Sequence, residues 1–186
     1  MGSTRERLIE AATRLLDEGG PAAVTLREVG RLAGVSHNAP YKHFADKEDL
    51  LAAVAARELA RPQRSGRAVG ASPGEVLRDM MHGYVAWAMG HPARFKLTFG
   101  SWTTDSGELA AAATSARSAL VSAVAAAQAS RAVPDGDPDR IAALILATAH
   151  GAVDLALSGH LSKTGKGHAD PQDLVDDLLS YLSHSS

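Results

Sequence analysis

Apolar residues in this chain recur at intervals of three and four and form no convincing alternating run, so the pattern predicts helices and no sheet. In the first segment Leu8, Ala12, Leu15 and Leu16 share one face, with Arg5, Glu6 and Glu10 elsewhere. Leu26, Val29, Leu32 and Val35 supply the apolar positions that would pack against it. Nine helices follow from this periodicity and its punctuation, at about 4–18, 26–33, 37–43, 47–61, 73–90, 92–100, 106–131, 138–160 and 171–183. Their starts are marked by capping signals. Ser3-x-x-Glu6, Thr25-x-x-Glu28 and Ser72-x-x-Glu75 match the capping box, and Pro73, Pro92, Pro138 and Pro171 each follow Ser, His or Asp. Gly19-Gly20-Pro21 and Gly34 read as stops, Gly34 as a left-handed cap.

The predicted class is therefore all-α. Residues 1–46 form a three-helix helix-turn-helix domain, 47–70 a connecting helix and a breaker-rich linker that opens at Arg61-Pro62, and 71–186 a helical domain for ligand binding and dimerisation.

The segment TLREVGRLAGVSHNAPYKHFADKEDL at 25–50 carries the most chemistry. One helix runs to Ala33, Gly34 permits a tight turn, Val35 turns inward and Ser36 caps the next helix. That is the layout of a reading head for the DNA major groove. His37, Asn38, Pro40, Tyr41 and His43 are left near a groove. Asn pairs with adenine in two-point contact, and His and Ser bond base edges or phosphates. The Pro40 ring suits a thymine methyl. Lys47, in the first turn of the following helix, suits a phosphate held jointly with free N–H groups. Taken singly, Phe44 and Tyr41 also read as core residues and Lys47 as a solvated charge; the segment as a whole does not.

Composition changes this picture little. The chain has 186 residues, 45% hydrophobic and only 4% aromatic, with no cysteine, so disulfides and thiolate zinc frameworks are excluded. Its net charge of −2 is unusual for a DNA binder. The distribution is more favourable: residues 1–64 hold ten Lys and Arg against nine Asp and Glu, the remainder nine against twelve. Phosphate contact needs only one basic face. No stretch reads as about 18 continuous apolar residues, so no membrane partner is expected and a cytoplasmic location is, nucleoid-associated when on DNA.

The stretch LREVGRLAGVSHNAPYKHFADKEDLL, preceded by the helix RERLIEAATRLLDEGG, resembles the N-terminal domain of TetR-family transcriptional regulators over about residues 4–60. The resemblance implies a homodimeric, ligand-responsive repressor with a helical C-terminal domain. It also implies operator contacts at Thr25, Arg27, Ser36, His37, Asn38, Tyr41, His43 and Lys47. HPARFKLTFGS at 91–101 and AHGAVDLALSGHL at 149–161 resemble a TetR C-terminal subfamily with a Trp-His-Gly signature, in which Ala149 here replaces the tryptophan and leaves His150-Gly151.

Most of the aromatic and methionine content falls between 80 and 102. Met80, Tyr84, Trp87, Phe95, Phe99 and Trp102, with His150 and Asp154, are the expected lining of a cavity for a small apolar or aromatic effector. An ordinary core is the plainer reading of the same residues. Ile145, Val153 and Leu157, with Leu174, Leu178 and Leu182 opposite Asp173, Asp176 and Asp177, are the expected dimer seam, two helices from each protomer. Rival chemistries are weak. His150 and Asp154 lie one turn apart without an HExxH pattern, so neither metal nor catalytic residues are expected, and no cofactor. Gly159-x5-Gly165-Lys166-Gly167 has the wrong spacing for a phosphate loop and follows no strand. The alternative to a regulator is an all-helical carrier or enzyme using His150 and the aromatic cluster.

Overall fold

A computed structural model describes residues 2–61 and 70–183. The expected linker residues 62–69 lie outside the described residues. Eight α-helices are present, and no named strand among the described residues: α1 Thr4–Ala23, α2 Leu26–Leu32, α3 Lys47–Leu59, α4 Pro73–Gly90, α5 Pro92–Thr98, α6 Gly107–Ala129, α7 Pro138–Leu157 and α8 Pro171–Ser183.

The caps behave largely as their chemistry predicts. Ser3 and Glu6 form a reciprocal capping box at the start of α1. At Ser72 the Glu75 N–H donates to Ser72 Oγ at 3.3 Å, and Ser72 N–H donates back to the Glu75 carboxylate at 2.7 Å. Thr25 makes only half a box: Glu28 N–H donates to its Oγ1 at 3.2 Å, while the Glu28 carboxylate pairs with Arg31. α1 loses helical dihedrals at Gly19 and Gly20, where the sequence places its stop.

One expected helix does not form. Between Ser36 and Phe44 the chain makes turns and a short 3₁₀ segment, Pro40–Lys42, with no side-chain cap. The hydrogen bonds run to the third residue back, Ala39 N–H to Ser36 O at 2.9 Å and His43 N–H to Pro40 O at 3.0 Å. Pro40 has no N–H to donate four residues back.

The chain folds as two compact units that do not follow its order: Met1–Arg61 with His91–Ala116, and Pro62–Gly90 with Arg117–Ser186. This partition differs from the expected division at residues 47–70. α3 falls within the first unit, with Leu50 through Ala56 buried. Residues 91–116, expected in the C-terminal domain, pack in the first unit as well.

The core of that unit joins Leu8, Ala12 and Leu16 of α1 to Val24, Val29, Phe44, Leu50 and Val54, with Leu97 and Trp102 packed against it. α5 is fixed there by charge. Arg94 donates to both carboxylate oxygens of Asp17 (Nε to Oδ1, 2.8 Å) and lies 3.4 Å from Glu58, which is 5% exposed. After α5, Thr103 N–H and Oγ1–H donate to Glu48 at 2.7 and 2.6 Å, and Thr104 N–H at 3.2 Å. These donors hold the Glu48 carboxyl below its ordinary range, the Thr103 hydroxyl first among them. α5 thus belongs with α1 and α3 because Arg94 finds its partners there.

In the second unit α4 packs against α7 and α8, which pack on each other. Leu77, Met81, Tyr84 and Val85 of α4, Ile145, Ala149 and Val153 of α7, and Val175 and Leu179 of α8 are buried there. α6 and α7 reach the length and mean hydropathy of a membrane span, 1.4 and 1.5, contrary to expectation. Alanine accounts for much of this in both, and α7 is a packed helix of the unit.

Candidate nucleic-acid interface

The reading head is held by four local devices. Gly34 adopts φ +63°, a conformation side chains resist, and so reverses the chain directly after α2. The Arg7 guanidinium of α1 donates to the carbonyls of Ala33 and Gly34, satisfying the end of α2. Gly30, buried in α2, leaves room for the Pro40 ring; a Cβ there would lie 2.9 Å from Pro40 Cγ. Arg5 lies over the Phe44 ring at 5.4 Å, closing the segment from the other side.

These constraints leave a polar set outside. Arg27, Ser36, His37, Asn38, Lys42 and His43 are exposed, and Tyr41 is 54% exposed. The His37 and Tyr41 rings meet edge to face at 6.1 Å, so the two side chains orient each other. Thr25 is exposed while its hydroxyl oxygen caps α2. Lys47 is half-buried at the first residue of α3. There Asp46 already accepts from the Asp49 N–H at 2.9 Å, so that N–H is not free for a phosphate as expected. Lys47 contributes as a point charge. Pro40, expected near a groove, is instead buried against Gly30. Ser36 caps no helix, since none follows it. Lys42 was passed over, although its exposure beside Tyr41 and His43 matches theirs.

The expected effector lining divides between the units. Met80, Tyr84, Trp87, His150 and Asp154 lie in the second unit, and Phe95, Phe99 and Trp102 in the first. Within the second, Tyr84 Oη and His150 Nδ1 are 2.9 Å apart and the Tyr84 and Trp87 rings lie 6.2 Å apart. Burial pushes the Tyr84 phenol above its ordinary range, so it stays protonated. Asp154 is exposed. Within the first, Phe95 is buried against Phe99 at 5.6 Å, and Trp102 packs on the helix-turn-helix core.

The expected dimer residues are also corrected in part. Ile145 and Val153 are wholly buried in their own unit. Leu157, Leu174, Leu178 and Leu182 are half-buried. The large apolar side chains left outside on α7 and α8 are Leu144 (48% exposed), Leu155 (47%) and Tyr181 (72%).

A short helix, a glycine turn and a 3₁₀ segment with a polar, aromatic and basic outer face, joined in sequence to a helical unit, match the layout of a helix-turn-helix DNA-binding regulator. The comparisons agree. Residues 8–54 match the model described as bacterial regulatory proteins, tetR family, and residues 77–182 that described as tetracyclin repressor-like, C-terminal domain. The chain belongs to the TetR family of transcriptional regulators, a family of regulators and not of enzymes.

It is 37% identical over 79 residues to the HTH-type transcriptional repressor AcnR of Corynebacterium diphtheriae, a match covering 41% of this chain and 40% of that one. A structure of a protein of unknown function from Rhodococcus sp. RHA1 is similar over 100% of this chain and 96% of its own, with 30% identity and a TM-score of 0.82. AibR in complex with isovaleryl coenzyme A and operator DNA shares the fold at 18% identity, covering 97% and 98% of the two chains with a TM-score of 0.66.

Proposed function

We propose that the protein is a ligand-responsive transcriptional repressor that binds a palindromic operator as a homodimer and is released by a small apolar or aromatic effector. The observation that carries the DNA half of this reading is the outer face of the helix-turn-helix, where Asn38, His37, Tyr41, His43 and Arg27 stand clear of the core. Asn38 and His37 serve base edges, Tyr41, His43, Thr25 and Ser36 phosphate oxygens, and Arg27, Lys42 and Lys47 the backbone charge.

The dimer reading is supported by the apolar residues left outside on α7 and α8. Leu144, Thr148, Gly151 and Leu155 follow one another at helical spacing, with nothing within 4 Å of a Cβ at Gly151. Tyr181 and the half-buried Leu174, Leu178 and Leu182 of α8 extend the apolar surface. Two such pairs form a four-helix seam with two-fold symmetry, which places two reading heads on half-sites about 34 Å apart or multiples of it.

The effector reading is supported by Tyr84, Trp87 and His150, and by a fold neighbour solved with an acyl-coenzyme A and operator DNA. Release is a shift of population. A ligand that prefers a different tilt of α3 lowers operator affinity by about 5- to 150-fold for a coupling of about 1–3 kcal/mol. The protein works in the cytoplasm, on the nucleoid when bound. The rival reading, a carrier or enzyme, has only the Tyr84–His150 pair behind it.

The test is a salt series of binding to duplex DNA from upstream of the protein's own gene, with the oligomeric state measured alongside. Sequence-selective binding that weakens with salt is expected. An intact dimer that binds none of this DNA at low salt would overturn the proposal.

A further inference from the structure

Within the first unit a cleft of about 530 Å³ lies between the end of α1, the first turns of α3, and α5 with the residues after it. Its volume falls in the range of small-molecule sites. Leu51, Leu97, Trp102 and Pro21 make its surface mainly apolar. Two charged side chains line it as well, and their situations differ. The Glu48 carboxylate is committed to Thr103 and Thr104, whereas Lys96 is exposed and makes no ion pair among the described residues. The Trp102 indole N–H is buried and exposes no surface, so it is the ring of Trp102 that lines the cleft.

We propose that this cleft binds a small apolar carboxylate, with its hydrocarbon body on Leu51, Leu97 and the Trp102 ring and its anion on Lys96. A cation without an ion pair beside an apolar wall calls for a ligand that is anionic at one end and apolar at the other. A cation or a neutral donor leaves Lys96 unmatched. The site takes no residue from the effector surface proposed at Tyr84 and His150, and it adjoins the reading head. Leu51 and Glu48 line it, and Lys47 begins the same helix. Its occupancy therefore acts on the DNA-contacting set through the first turn of α3.

The chain has two tryptophans, so the full-length protein gives two indole N–H resonances, which Trp87→Phe assigns. Benzoate is the probe, titrated into the ¹⁵N-labelled protein to about 10 mM, ten times a weak Kd of about 1 mM. The Trp102 resonance should move saturably while that of Trp87 stays still. Lys96→Met should weaken the response about tenfold or more, as should benzamide in place of benzoate, because each removes one charge of a charge-assisted bond. Acetate should bind more weakly, lacking the apolar body. A Trp102 resonance that never moves overturns the proposal. So does movement of Trp87 alone, which instead places the ligand at the Tyr84 surface and leaves the repressor reading intact. Unchanged binding in Lys96→Met, or equal binding of benzamide, refutes the anionic class.

Discussion

Replacing Arg94 with methionine tests whether α5 belongs to the DNA-binding unit. In the structure Arg94 is mostly buried, grips both oxygens of Asp17 and lies 3.4 Å from the enclosed Glu58 carboxylate. Removing one partner of a buried pair costs about 3–5 kcal/mol, because a charge is left without compensation. Two features moderate this. Arg61 still lies 3.5 Å from the other Glu58 oxygen, and Asp17 is partly exposed and rehydrates. Methionine also keeps much of the aliphatic stem in place. The expected loss is therefore at the low end, about 3 kcal/mol, or a fall in Tm of roughly 6–12 °C for a chain of this size. Calorimetry on Arg94→Met, Glu58→Gln and the double variant gives the coupling directly. The double variant should regain at least half of the loss, since a neutral amide at position 58 no longer needs the cation. A single-variant loss under about 0.5 kcal/mol, or a double variant no better than Arg94→Met, would refute the docking of α5 on α1 and α3.

Other outcomes follow from the same geometry. Asn38→Ala should cost about 1–3 kcal/mol on the preferred operator and little on random DNA, whereas Lys47→Ala should weaken both and lower the salt slope by about one, read by fluorescence anisotropy. Gly30→Ala gains about 1 kcal/mol of helix propensity but forces its Cβ to 2.9 Å from Pro40 Cγ. A net loss of about 1–2 kcal/mol in denaturant unfolding is expected, and Pro40→Ala in the same chain should relieve it. Thr103→Val should raise the Glu48 carboxyl toward its ordinary value of 4.5, followed by carboxyl NMR. The sign follows from a lowered folded-state value. The stabilisation is present above that ordinary value and is lost as pH falls through the folded one, so wild type and variant should converge in acid.

The sequence by itself determined the local events, because their causes lie within a few residues of one another. Ser3-x-x-Glu6 caps α1, Gly34 turns the chain after α2, and the three-to-four spacing of Leu8, Ala12 and Leu16 buries one face. The exposed polar set around Asn38 and Tyr41 was legible for the same reason, since a cap, a turn and the polar residues beyond them are read in order. Pro40 marks the limit of that reading. Its ring fills the space over Gly30, ten positions away, and only packing reveals that it faces inward.

The tertiary structure alone decided where α5 and Trp102 belong. Their aromatic neighbours in sequence suggested one cavity, but Arg94 meets Asp17 and Glu58, and Thr103 meets Glu48, across gaps of 36 to 77 residues. Ile145 and Val153 likewise carry the apolar pattern of an interface and are consumed inside their own unit. Periodicity says that a face is buried. What covers it depends on shape and charge brought together from distant parts of the chain.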